Sequence, residues 1–440
     1  MNVISTKQYA KRIWHRNTLL FKNAAWLSGS TLINSGLGFV YWWLAARLFP
    51  PAAVGLGSAI VSAMMLLGIV GMLGLGTLLI GELPRRRAEA KSLLSTALLT
   101  SGGAAAILGL LFTCTTPWFS SELSVLAQTP FNTALFVLGV VLSGSLMVAD
   151  QAMIGLMRGE IQLRRTAVVA VVKLLLLIPA GLWFARHSGL DIYLTWLIGL
   201  LASIGVLIPP FLRGRRWPGS YRPQWRFLQS LGSLALTHHL FNIIGQVPGA
   251  TLPLIITSLY SSALNASFAM AWLLYTILSL IPGSLTTVLH AIGSGQPEVL
   301  QQKIRLTLIL SSGFQLFSSI VLMVTAEWIL RLFGQSYAAE ASWCLRLLAI
   351  SALPQIIAQH HNTICRIKGI VGRRIGLLAF GVGLKLLLAT LGAHYGALTG
   401  LALGWLVGAS IEALLMGRLV FVTTFTAPSV APANLLRTSE

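Results

Sequence analysis

Along this chain, long runs of apolar residues alternate with short basic connections. Leu93 to Thr113 and Val168 to Leu182 are continuous apolar runs. A strand of an outer-membrane barrel would instead alternate apolar and polar residues over roughly ten positions. A segment crossing a bilayer needs about twenty mostly apolar residues. It must also pair its own backbone groups, which selects the α-helix. Twelve such segments are predicted, at 24–48, 54–80, 93–115, 132–156, 166–187, 190–211, 228–258, 263–292, 304–326, 342–365, 375–395 and 397–419.

The basic residues test that count, because cytoplasmic loops of membrane proteins retain Lys and Arg. With the N-terminus inside, the inside segments are 1–23, 81–92, 157–165, 212–227, 293–305, 366–374 and 418–440. They hold 25 of the 31 Lys and Arg residues. The outside connections 49–53, 116–131, 259–262 and 327–341, with the turns near His187 and His394, hold only Arg331, and Arg186 at a helix end. A missed or invented span would reverse the sign downstream of the error. The expectation is therefore an all-α integral membrane protein with twelve spans and both termini in the cytoplasm.

Composition agrees. The chain is 55% hydrophobic and 10% charged, where soluble domains carry about a quarter charged residues. The net charge of +20 would suggest nucleic acid in a soluble protein. Here the inside loops account for it, so no nucleic-acid partner is expected. Cys114, Cys344 and Cys365 lie in or at the edge of apolar runs and read as free thiols. The stretch Met1 to Lys22 is basic and polar and lacks the apolar core of a signal peptide.

The chain also repeats. Thr96-Ala-Leu-Leu-Thr-Ser-Gly matches Thr307-Leu-Ile-Leu-Ser-Ser-Gly, and Leu48-Phe49 matches Leu259-Tyr260, both at an offset of 211. Arg164-Arg165 followed by Lys173-Leu-Leu-Leu matches Arg373-Arg374 followed by Lys385-Leu-Leu-Leu. Transporters are often built from two related halves. The expected organisation is a basic N-terminus at 1–23, a six-helix lobe at 24–211, a basic linker at 212–227, a second six-helix lobe at 228–420 and a tail at 421–440. A cavity is expected between the lobes.

Charges within a span are costly, so they face a wet cavity, pair or snorkel. Lys173 lies eight residues beyond Arg165 and Lys385 eleven beyond Arg374, or roughly 12 and 16 Å along a helix. Either they snorkel, or they form a pseudo-symmetric pair facing an anionic ligand; the second is the expectation. Arg47 ends helix 1 near the outer face. Asp150 reads as a counter-ion for a basic neighbour or as part of a proton relay, and Glu412 as a snorkelling residue. Histidines occur as His238-His239 and His360-His361. Neighbouring helical positions point in different directions, so neither pair can hold one metal from one face. His239 and His361 are candidates for the cavity wall. Helix 7, with Gly245, Pro248, Gly249 and Pro253, and helix 1, with Gly36 and Gly38, read as corresponding interrupted helices that move or line a ligand path. No phosphate-cradling loop and no metal-ligand spacing is found, so no cofactor and no metal is expected.

Two stretches resemble a known family. Ala46-Arg47-Leu48-Phe49-Pro50 with Val54-Gly55-Leu56-Gly57-Ser58-Ala59 is similar to the motif joining the first two helices of Wzx-type polysaccharide flippases, in the MOP superfamily (multidrug/oligosaccharidyl-lipid/polysaccharide exporters). Ile329 to Tyr337 and Cys344 to Pro354 resemble the family's outer loop and the start of its helix 10. The resemblance implies two six-helix lobes in alternating access. It implies transport of an undecaprenyl-pyrophosphate-linked oligosaccharide across the inner membrane for O-antigen (lipopolysaccharide), capsule or exopolysaccharide synthesis. Polysaccharide polymerase and chain-length proteins would be further partners, beside membrane lipids. Of the family's functional positions only Arg47 is carried over. The alternatives are a cation-coupled drug exporter of the same superfamily, which would use acidic cavity residues where helix 1 has none, and a membrane glycan enzyme, which would need a large outside loop. No catalytic residue is expected.

Overall fold

The computed structural model describes residues 26, 29–30, 33–84, 86–183, 188–212, 220–230, 233–293 and 300–425. The described chain is helical almost throughout. The helices are α1 (33–48), α2 (Pro51–Gly71), α3 (Leu75–Glu82), α4 (Ala90–Phe119), α5 (Pro130–Gly155), α6 (Gly159–Trp183) and α7 (Gly189–Leu212) in the first lobe. The second lobe has α8 (Ser233–Leu259), α9 (Ser262–Leu278), α10 (Leu280–Gly293), α11 (Leu300–Arg331), α12 (Gln335–Ile367) and α13 (Val371–Phe425). Among the described residues, nine helices are long and apolar enough to cross a membrane, or ten if α9 and α10 form one bent span. The chain is a multi-pass integral membrane protein.

At 55 residues α13 would be about 80 Å long if straight, well over the roughly 30 Å of a hydrocarbon core. It breaks at Gly396 and Ala397, whose backbones leave helical geometry, between the spans predicted at 375–395 and 397–419. The two arms then press together through glycine. A Cβ on Gly400 would lie 2.0 Å from the Gly392 carbonyl oxygen, and one on Gly404 2.0 Å from that of Leu388. Gly400, Gly404 and Gly408 recur every fourth residue and so line one face, the small-residue stripe that lets helices approach closely in lipid.

Interrupted helices occur at pseudo-equivalent places, but not where the sequence suggests. The helical path runs unbroken through Gly36 and Gly38 in α1, and α8 continues through Pro248 and Pro253. The breaks fall in the second span of each lobe instead. Leu73 and Gly74 take positive φ between α2 and α3, and α9 meets α10 at 43° around Ser279. A second departure is that α6 begins at Gly159. Arg164 and Arg165 are thus helical, not part of a loop.

The α5–α6 and α12–α13 turns are alike. Arg158 N–H donates to Met153 O at 2.8 Å, and Ile370 N–H to Cys365 O at 3.0 Å. Each closes a helix over a left-handed residue, Met157 at φ 57 and Gly369 at φ 65. This C-terminal closure favours glycine. Methionine there bears a Cβ clash worth about 1 kcal/mol. Met157→Gly should raise the thermal unfolding midpoint of detergent-purified protein by that increment. Gly404→Leu should lower it, by about 3 kcal/mol, because the α13 arms cannot separate without losing their packing.

Candidate functional site

The lobes are joined at the predicted outer end. The Trp43 indole N–H donates to Leu332 O at 3.0 Å, and Arg47 Nε to the same oxygen at 2.9 Å. Asn265 on α9 donates to Gly55 O at 2.8 Å and Ser58 Oγ at 2.9 Å on α2. A Cβ on Gly55 would collide with the Ser262 carbonyl, so the two helices cross backbone to backbone. Glu122, from the α4–α5 connection, accepts the Ser262 N–H at 2.8 Å and so places a carboxylate at the N-terminus of α9, where the helix dipole favours it. Among described residues, the hydrogen bonds that join the lobes all lie at this end.

Each lobe holds its own polar hollow. The first, of about 280 Å³, is lined by Asn34, Met65, Ser143, Met147, Asp150, Gln162, Arg165 and Trp196 among others. The second, of about 440 Å³, is lined by Gly245, Gln246, Gly249, Trp272, Tyr275, Thr276, Gln355, Gln359, Asn362, Lys385, Trp405 and Glu412 among others. At an offset of 211 or 212, Met65, Ser143, Met147 and Asp150 correspond to Thr276, Gln355, Gln359 and Asn362. The two hollows are therefore the same place in two related lobes.

The expected cation pair is real in position and different in setting. Lys173 and Lys385 are each 2% exposed, so neither snorkels. They do not converge on one gap between the lobes, since each is enclosed in its own lobe. The Lys173 ammonium lies 3.5 Å from the Trp196 ring centroid and 5.0 Å from that of Tyr41. Cation–π contacts of this kind are worth about 2 kcal/mol when desolvated. Lys385 lies 5.1 Å from the Trp405 centroid and also 2.5 Å from Glu412 Oε2. Glu412 is 1% exposed, so the expectation that it snorkels is wrong. The glycines of α13 explain why. They bring its arms close enough for residues 27 apart to pair, and Gly381 leaves the space that the Glu412 carboxyl fills. Where the second lobe has Glu412, the first has Ser203, whose hydroxyl donates to Leu200 O at 2.7 Å. Among the described residues, Lys173 meets rings and no acid.

Asp150 takes the counter-ion role. Arg165 Nε donates to its Oδ1 at 2.6 Å and a terminal guanidinium nitrogen to its Oδ2. This two-point pairing is possible because α6 starts early enough to carry Arg165 inward. Arg47 belongs to the inter-lobe contact and is remote from both hollows. His239 is buried with its Nε2 unpaired. His361 is buried with Nδ1 3.3 Å from Asn362 Oδ1 and Cys365 Sγ 3.7 Å from its Nε2. Neither lines a hollow. The side chain of His238 lies outside the described residues. The amide series Gln355, Gln359 and Asn362 escaped sequence reasoning, although its i, i+4, i+7 spacing on an apolar helix was readable.

The profile described as polysaccharide biosynthesis protein matches residues 20–215, and that described as MatE matches 255–391. The first takes in α1 to α7 and the second α9 to α12 with the start of α13. The search of curated proteins finds no match. Among solved structures, an inward-facing multidrug resistance MATE family transporter of the MOP superfamily superposes at TM-score 0.68 with 16% identity, over 92% of this chain and 99% of its own. The chain has the fold of these MOP superfamily transporters. A Pyrococcus furiosus MOP superfamily transporter, described as having a binding pocket of reverse polarity, is similar at TM-score 0.61, 15% identity and 92% and 97% coverage. A Vibrio cholerae MATE transporter is similar at 0.55, 18%, and 92% and 95%. At these identities the likeness establishes the fold of this chain alone.

The buried ion pair yields a prediction. Glu412→Gln leaves the Lys385 ammonium in the lobe without its counter-charge, which should cost about 3–5 kcal/mol. Replacing both, Lys385→Met with Glu412→Leu, should recover most of that loss in the thermal unfolding midpoint. Equal losses from the single and the double replacement would show that the pair is not what stabilises these arms.

Proposed function

We propose that this protein is a transporter that moves a lipid-linked oligosaccharide, carried on undecaprenyl pyrophosphate, across the inner membrane by alternating access, for O-antigen, capsule or exopolysaccharide synthesis. In this reading it has twelve spans with both termini cytoplasmic, catalyses no covalent step and works beside polysaccharide polymerase and chain-length proteins. A sugar-phosphate head group cannot enter hydrocarbon alone, because its hydroxyls and charges would lose their hydrogen bonds. Two lobes closed at the outer end and rocking apart would give the head group polar walls while its lipid tail stays in the bilayer. The match of the first lobe to polysaccharide biosynthesis proteins supports the substrate class.

The observation that carries the reading is the charge balance of the hollows. Both acids that line them are already paired, Asp150 with Arg165 and Glu412 with Lys385. Lys173 lies behind the wall of the first hollow, on the ring of Trp196 that lines it, and meets no carboxylate among the described residues. The surplus is positive, which suits a pyrophosphate. The MATE neighbours favour a second reading, a cation-coupled drug exporter, but such an exporter would need an acid free to bind its cation.

The test is complementation of a strain lacking its own flippase. The wild-type gene should restore surface polysaccharide, and Lys173→Met should cut the output about tenfold, as expected for losing a charge-assisted contact, at unchanged protein level. Full output from the variant would remove the cationic-site argument. Drug efflux without any restored polysaccharide would favour the exporter.

A further inference from the structure

The hollow of the second lobe is built differently from its counterpart. Three rings make one wall. Trp272 lies 5.2 Å from Trp405, nearly edge to face at 77°, and 5.0 Å from Tyr275. Gln355, Gln359 and Asn362 line the hollow from one face of α12. The equivalent residues of the first lobe include Ser143 and Met147, so that hollow has no such amide series.

Several of these polar groups have unused bonding capacity. The Oε1 atoms of Gln355, Gln359 and Glu412 are buried without a hydrogen-bond partner, and so is the Trp405 indole N–H. The Gly249 carbonyl, at the same hollow, loses its usual helical donor because Pro253 has no N–H. Unmade bonds inside a membrane protein are costly. Acceptors and a donor side by side suit a ligand rich in hydroxyls, since each hydroxyl both donates and accepts. The ring wall suits the apolar C–H face of a pyranose, which packs on the electron-rich face of an aromatic ring. A single metal cation suits the site less well. Its carboxylate is already neutralised by Lys385, and its volume of about 440 Å³ falls in the range of small-molecule pockets, roughly 300–1,000 Å³.

We infer that this hollow is a saccharide subsite, in which one sugar ring packs on Trp272 while Gln355, Gln359 and Asn362 bind its hydroxyls. The inference rests on the flippase reading and adds to it where, and by which groups, the sugar is held. α8, which forms one wall, also packs on α2 of the other lobe, so occupancy of the hollow adjoins the surface along which the lobes move.

The experiment is saturation-transfer NMR on the purified full-length transporter in lipid nanodiscs, with D-galactose, N-acetyl-D-glucosamine and D-glucuronic acid as probes. Wild type should transfer saturation to at least one of them. Gln359→Leu and Trp272→Leu should each weaken binding about tenfold, the loss of one substrate contact. If Gln359→Leu does not yield monodisperse protein, Asn362→Val on the same face serves in its place. No transfer to any probe, or transfer undiminished in the variants, would each overturn the subsite. Complementation separates the two claims. Wild-type restoration of surface polysaccharide with full output from both variants overturns the subsite alone. Sugar transfer in nanodiscs with no restoration by wild type overturns the flippase reading and leaves the subsite standing.

Discussion

The contact between Lys385 and Glu412 shows what a charge demands once it lies away from water. Removing either partner would leave an ion in a medium that cannot solvate it, so the two must be delivered to one point together. That delivery is the work of residues with no charge. The stripe Gly400, Gly404, Gly408 allows the arms of α13 to meet at backbone distance, and Gly381 leaves a recess for the carboxyl. With one Glu412 oxygen on Lys385, the other lies against Gly381, at the edge of a hollow lined by amides and rings. The pair thus ties the packing of the last two helical arms to the chemistry of the site.

The first lobe meets the same demand with other residues. Its acid is on α5 rather than α13, and Arg165 reaches it from the first turns of α6. Its lysine, at the place equivalent to Lys385, rests on Trp196 and Tyr41. Both lobes keep a Lys–Trp contact and differ in where the carboxylate sits. The consequence is asymmetry within a symmetric frame, with a cation that meets no carboxylate among the described residues on one side and buried amide oxygens without partners on the other. The contacts at the predicted outer end, from Arg47 and Trp43 to Leu332 and from Asn265 to Gly55, then hold these unlike lobes in one arrangement.

Helix placement was largely legible in the sequence. Hydropathy put a boundary between 395 and 397, where α13 breaks, and the repeat placed Lys173 opposite Lys385. The breaks were harder. Glycine and proline in the first span of each lobe looked like interruptions, yet those helices continue, because a kinked helix can still pair most of its backbone. The real breaks, at 72–74 and at Ser279, lie in runs apolar enough to pass for single spans.

The sequence by itself determined that the protein lives in lipid, that it is helical, that it is built twice, and that two lysines sit within apolar runs at corresponding places of the two halves. These follow from period, run length and charge position, which are properties of neighbouring residues. Only the tertiary structure decided the partners. Glu412 could be joined to Lys385, Asp150 to Arg165, and Arg47 to Leu332 only after helices were packed side by side. In a bilayer that packing depends on shape and on unpaired polar groups, since apolar residues meet lipid as readily as each other, and shape is not written along one helix.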